Sequence, residues 1–175
     1  VRVWYGGRPL TSDNKINGIT FGGVGRATVV EHCEVAFNLD DGIRFVGGTV
    51  NAKYLSVLFP GDDAVDIDLG YQGSIQYLFV MLSPLMAGRA IEMDSNVQDV
   101  YAQPRTFAKF SNMTLVGPGP SRPIGDGADQ MIALSSGAGG DFRNTVIVHG
   151  NGYCLQLNGE ASLDLLKNSA SSSEP

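Results

Sequence analysis

The chain has 175 residues, 12 Lys and Arg against 18 Asp and Glu, and a formal net charge of -6. That length makes about one domain with a real core, and so few bases leave no footprint for nucleic acid or an anionic membrane surface. No apolar run reaches the roughly 18 residues that span a bilayer, so membrane insertion is not expected, and the two Cys make neither a disulfide framework nor a metal quartet.

The first element is an alternating strand, "VRVWYGG" (1–7). A chain that opens inside a strand reads as a mature form or a fragment, so a missing signal peptide says little about export. Then one pattern recurs: "GITFGG" (18–23), "GIRFVG" (42–47), "AVDIDLG" (64–70) and "AIEMD" (90–94), with looser copies in "MIALSSG" (131–137) and "CLQLNG" (154–159). Each begins on a small or modest residue and alternates apolar with polar. A second strand follows each: "EHCEVAFN" (31–38), "KYLSVLFP" (53–60), "QYLFVMLS" (76–83), "SNMTLVGP" (111–118) and "NTVIVHG" (144–150).

Alternation of period two means a sheet with one buried face. On the first strands the inward residues run from Ile19 and Phe21 through Ile43 and Phe45 to Leu155 and Leu157. On the second they run from Val1 and Val3 through Cys33 and Val35 to Val146 and Val148. The fold this predicts is all-β: a right-handed parallel β-helix, a solenoid of about six coils, with a repeat of 22 to 26 residues that lengthens where loops enlarge. A sandwich would require hairpin signals between neighbouring strands, and only "INGIT" and "GNGYC" offer them. The β-helix is expected over 1–160. Residues 161–175 are read as a short helix covering the last coil or a polar, disordered tail; "YAQPRTF" and "GPGPSRPIGDGADQ" are read as loops leaving the solenoid.

Stacking the coils places Asp40 over Asp62, Asp41 over Asp63 and Arg89, Arg44 over Asp66 and Glu92, and Val46 over Asp68 and Asp94. Coils lie about 4.8 Å apart, so the like charges repel. Three readings offset this. Asp at a turn can bond neighbouring backbone N–H groups while Arg44 and Arg89 neutralise the ladder. The oxygens of Asp40, Asp41, Asp62, Asp63, Asp66 and Asp68 can hold a hard cation, Ca2+ being the candidate cofactor. Or a stacked pair can split its pKa values and cleave a glycoside.

The stretches "INGITFGGVG", "DDGIRFVGGTVNAKYLSV", "GDDAVDIDLGYQGSIQYLFV" and "FSNMTLVGPG" resemble the extracellular right-handed β-helix repeat proteins of bacteria, many of them lipoproteins or large surface proteins without assigned activity. The resemblance covers roughly residues 1–160. It implies export and a β-helix, and carries over no catalytic residues. The family's frequent "GIE" is "GIR" here, so Arg44 departs from the usual charge. "NLD" followed by "GDD" also resembles polygalacturonase motifs, but no Gly-His-Gly or Arg-Ile-Lys follows.

The expected function is therefore a non-catalytic, secreted or cell-surface module, structural, adhesive or filament-forming. The runner-up is a polysaccharide-active enzyme using stacked Asp residues. An outward apolar stripe supports an assembly: Trp4, Leu58, Met81, Val116 and His149 in one column, Phe79 and Ile147 in the next. The partners expected there are other copies of the chain or other surface proteins, with polysaccharide a further candidate. "YAQPRTF" or the C-terminal segment folding over the stripe is the alternative. Asn112-Met113-Thr114 is a formal glycosylation sequon. Cys33 and Cys154 lie about five coils, on the order of 24 Å, apart, too far to bond.

Overall fold

A computed structural model describes all residues except 12–14, 87, 121, 123–128 and 172–175. Short strands alternate with longer ones. The short set is β2 (Ile19–Gly22), β4 (Ile43–Val46), β6 (Val65–Asp68), β8 (Ile91–Asp94), β10 (Gln130–Ser135) and β12 (Tyr153–Leu157). The longer set is β1 (Arg2–Trp4, a three-residue end strand), β3 (Val30–Ala36), β5 (Ala52–Leu58), β7 (Ser74–Met81), β9 (Phe107–Val116) and β11 (Gly139–Val148). Among the described residues each set forms one six-stranded sheet, all neighbours parallel and in sequence order. This is the right-handed parallel β-helix that the repeat predicts.

The core follows from the register. Ile19, Ile43, Val65, Ile91, Ile132 and Leu155 stack in one inward column of the short-stranded sheet. Phe21 stacks on Phe45 at 5.1 Å, and Phe45 meets Tyr71 at 4.9 Å. The Tyr71 hydroxyl is buried and donates to the Val50 carbonyl at 2.7 Å, which satisfies a group that would otherwise cost stability. Gly42 stands where a Cβ would lie 2.3 Å from Val57 Cγ1 and 2.7 Å from the Ala64 carbonyl. The corner that carries the first acidic pair therefore closes only on glycine.

The longer strands are bent. His32, Tyr54, Tyr77, Asn112 and Asn144 each hold a left-handed φ between 48° and 58°, one above another. At such a residue the alternation slips: in β5, Lys53 and Tyr54 both face outward before Leu55 turns in. The slip corrects the sequence-based columns in β11. Asn144 belongs over Asn112, so Thr145 pairs with Met113 and Ile147 with Leu115. Ile147 packs on the core instead of facing a partner, while Val146 and Val148 face out. His149 falls past the strand, level with Gly117, so Val148 takes its place in the stripe. The run "TVIV" misled because its apolar alternation continues through either phase. At the other end Val3 pairs with Val35, but Val1 is 77% exposed.

Helix α1 (Glu160–Ser171) covers the last coil. The Gly137 N–H donates to Ser162 Oγ at 3.0 Å, Arg105 Nη1 donates to the Ala161 carbonyl at 3.2 Å, and the buried Arg105 anchors the loop before β9. That loop and the helix meet each other beside Gln72 and Phe107, while Trp4 and Phe79 of the outward stripe stay exposed. Residues 121 and 123–128 of the Pro-rich loop, and the last four residues of the tail, lie outside the described residues.

Cys33 is buried, Cys154 is exposed, and they are not bonded to each other. One thiol should react with a bulky aromatic disulfide in the native protein, and the second only on unfolding. Phe45→Ala, which empties the middle of the ring column, should cost about 3–5 kcal/mol in chemical denaturation.

Candidate functional site

The acidic residues gather on the outer face of the short-stranded sheet and the corner leading into it. Parallel pairing puts Arg44 over Asp66 and Asp66 over Glu92, with Val46 over Asp68 beside them. The six candidate carboxylates divide into a corner trio, a pair on the sheet face and a separate Asp63. At the corner, Asp40, Asp41 and Asp62 bring one oxygen each within 4.8 Å of one another. These three are the residues that could hold a cation. On the sheet face, Asp66 and Asp68 share Arg44: Nε lies 3.1 Å from Asp66 Oδ2 and Nη2 donates to Asp68 Oδ2 at 2.5 Å. Asp63 stands apart, buried beneath Arg89, whose N–H donates to Asp63 Oδ1 at 2.5 Å and whose Nη1 lies 2.7 Å from Glu92.

The backbone also helps hold the ladder. Asp41 Oδ1 accepts from the Asp63 N–H at 3.2 Å, and its Oδ2 accepts from Asn17 Nδ2 at 3.0 Å. Buried Asn38 donates to the Asp41 and Ile16 carbonyls. One carboxylate thus ties three coils together, which is the turn chemistry expected of Asp before glycine.

The remaining charge is relieved by protons. Burial pushes Asp41 up to about 6, with Asp40 and Asp62 adding to it. Burial pushes Asp66 up to about 8, reinforced by Asp41 and Asp68 and opposed by Arg44. Asp41 and Asp66 interact, which lowers Asp41 and raises Asp66, so the two titrate as one pair. Asp63 is raised by burial and by Glu92, and Asp94 by burial with Glu92 and Asp68 adding. Asp62 is raised by burial too, while Lys15 pulls the other way.

An open cleft of about 470 Å3 lies over this face, lined by Arg44, Asp66, Asp68, Glu92 and Asp94, with the 95–98 segment among its walls. Glu92 and Asp94 line the cleft although they are not among the six aspartates expected to hold a cation; their place in the stacked columns was the available signal. Chemically the cleft offers the raised Asp66 carboxyl and a guanidinium, but both arginines are committed to carboxylates.

The other sequence-derived candidates lie elsewhere. Asn112 occupies the bend column, where its Oδ1 accepts from Asn144 Nδ2 at 2.5 Å. Trp4, Leu58, Met81 and Val116 do share one outward column with Ala36, and Phe79 lies in the adjoining one. Two sets of rings in the left-handed columns were missed. His32, Tyr54 and Tyr77 stack at 4.6 and 4.9 Å, and Tyr5, Phe37 and Phe59 at 5.1 and 5.2 Å. Their signal was the recurrence of a ring at the coil period, hidden by treating each long strand as one unbroken alternation.

A carboxyl with a raised pKa favours folding in its protonated form, so stability is full at low pH and falls as pH rises from the ordinary 3.8 through about 6 and then about 8. The thermal midpoint should therefore be higher at pH 5 than at pH 8.5, by about 2–4 °C for each kcal/mol. Asp66→Asn should flatten that slope. Arg44→Ala should cost about 1–3 kcal/mol at pH 8.5 and less at pH 5, where protons replace the guanidinium.

Residues 1–174 match the family model described as a pectate-lyase-like beta helix domain. No curated protein and no solved structure matches the chain. With coil stacking, sheet order and family model all in agreement over nearly the whole length, the chain belongs to the pectate-lyase-like β-helix domain family.

Proposed function

We propose that this chain is a non-catalytic, extracellular or cell-surface β-helix module that binds a partner along the outer face of its longer-stranded sheet. The observation that carries this reading is the apolar face that the described residues leave open. Trp4 is 54% exposed and Phe79 37%, and the described loops and α1 pack elsewhere. Scattered exposed apolar residues need no explanation, but a contiguous set along one face is the usual mark of a binding surface.

The acidic face supports the same reading from the other side. Arg44 bridges carboxylates of two coils and Arg89 does so one coil on. Charges engaged in this way stabilise the stack and tie both Arg44 and Arg89 to carboxylates rather than to a role as base. The raised pKa of Asp66, which lines the cleft beside Arg44, supports a second reading, in which its protonated carboxyl serves as a general acid on a polysaccharide there.

Incubation with polygalacturonate, with and without Ca2+, separates the two. The parent chain should release neither reducing ends nor unsaturated products. Product release that disappears in Asp41→Asn with Asp66→Asn would establish the second reading instead.

A further inference from the structure

The binding face has a shape that narrows its occupant. Two ridges border it. One is the bend column of His32, Tyr54 and Tyr77, and the other is the column of Tyr5, Phe37 and Phe59 just past the strand ends. Between them lie only the four residues per coil represented by Cys33 to Ala36, a floor roughly 16 Å wide at the strand rise. Phe79, Leu58 and Met81 line that floor, which runs parallel to the solenoid axis.

The rings exceed what the fold needs. A left-handed φ on a residue with a Cβ costs roughly 1–2 kcal/mol, and Asn tolerates it best. Further along the same bend column the chain uses Asn112 and Asn144, at φ 58° and 48°. They meet the backbone requirement and bond each other. In the first three coils of the column, His32, Tyr54 and Tyr77 meet it with rings, and Tyr54 and Tyr77 are left 44% and 43% exposed. Ring stacking returns about 0.5–1.5 kcal/mol per pair, which accounts for the stack's stability but not for the choice of apolar surface over Asn. Backbone strain combined with surplus exposed rings points to a ligand.

Charge and area identify its class. On the floor the charged residues are Glu34 and Arg2, which share one column and pair at 3.6 Å, and Trp4 Nε1 also donates to Glu34 at 2.9 Å. A floor without an available charge selects neither a polyanion nor a polycation, and the net charge of -6 disfavours the former. The rings border four strands, β1 to β7, which at the coil spacing give the trough roughly 300 Å2, well below the 800 Å2 per partner that a stable protein interface buries. A narrow, neutral, repeating occupant remains. We infer that the trough binds a single neutral polysaccharide chain lying along the solenoid axis, its apolar sugar faces against Trp4 and Phe79 and its edges against the two ring ridges. This rests on the non-catalytic binding function proposed above and names its partner.

Affinity electrophoresis of the full chain in native gels tests it, with hydroxyethylcellulose as the neutral probe and polygalacturonate as the charged one. The parent should be retarded by hydroxyethylcellulose and not by polygalacturonate. Phe79→Ala should weaken the retardation about tenfold in Kd. Ser56→Lys, which puts a charge on the floor and leaves every ring in place, should do the same, with circular dichroism reporting the fold of both variants. Unchanged mobility of the parent in the neutral gel overturns the inference. So does a dimer in sedimentation that Ser56→Lys disperses, because a second copy would then own the face. Products from polygalacturonate would sink the non-catalytic assignment separately, whatever the neutral gel shows.

Discussion

Everything in this molecule depends on coil lying on coil in register at the spacing of hydrogen-bonded strands. The constraint is severe because it makes each side chain the neighbour of its equivalent one repeat away. For Ile43, Val65 and Ile91 that is favourable, and the core is built by repetition. For Asp41 and Asp63, or Asp66 and Glu92, it is unfavourable, and the structure shows three ways of relieving it. Guanidinium groups are inserted into the charged columns, backbone N–H groups are directed at carboxylates, and burial raises the pKa of Asp41 and Asp66 so that protonation removes charge. The acidic face is therefore explained by the geometry of stacking before any ligand is considered.

The same constraint governs the bends. A left-handed residue tends to recur in the next coil: the bend column keeps it from His32 to Asn144, and the column past the strand ends keeps it from Tyr5 to Phe59. Columns of positive φ result, and what varies along them is only the side chain: His, Tyr, Tyr, Asn, Asn in one, and Tyr, Phe, Phe at the start of another. The backbone is repetitive while the surface is free to change, so this face can be specialised without altering the fold.

The sequence made the solenoid legible because its strongest signal, alternation repeated at a near-constant period, is the direct imprint of stacking. The charged columns were legible for the same reason: Arg44 over Asp66 and Asp41 over Asp63 needed only the alignment of repeats. The bends were not. Asn144 and His32 carry no shared residue type, and a left-handed φ leaves no periodic trace of its own, so the phase of β11 came out one residue wrong and Ile147 was turned outward. The partition of six aspartates into a corner trio, a buried Asp63 and an arginine-clamped pair was also illegible. It depends on which oxygens face which donors, a matter of ångströms rather than of spacing.

The position of the single tryptophan has a practical consequence. Trp4 lies in β1, the end strand of its sheet, and touches its neighbours chiefly through β3 and Glu34. In a solenoid whose coils are coupled mainly to their nearest neighbours, the first coil can open without the rest. Intrinsic tryptophan fluorescence is thus a reporter of fraying at one end, while the backbone dichroism reports the whole stack. Denaturation curves from the two signals will separate even when every coil is intrinsically sound, and their separation measures how strongly one coil holds the next.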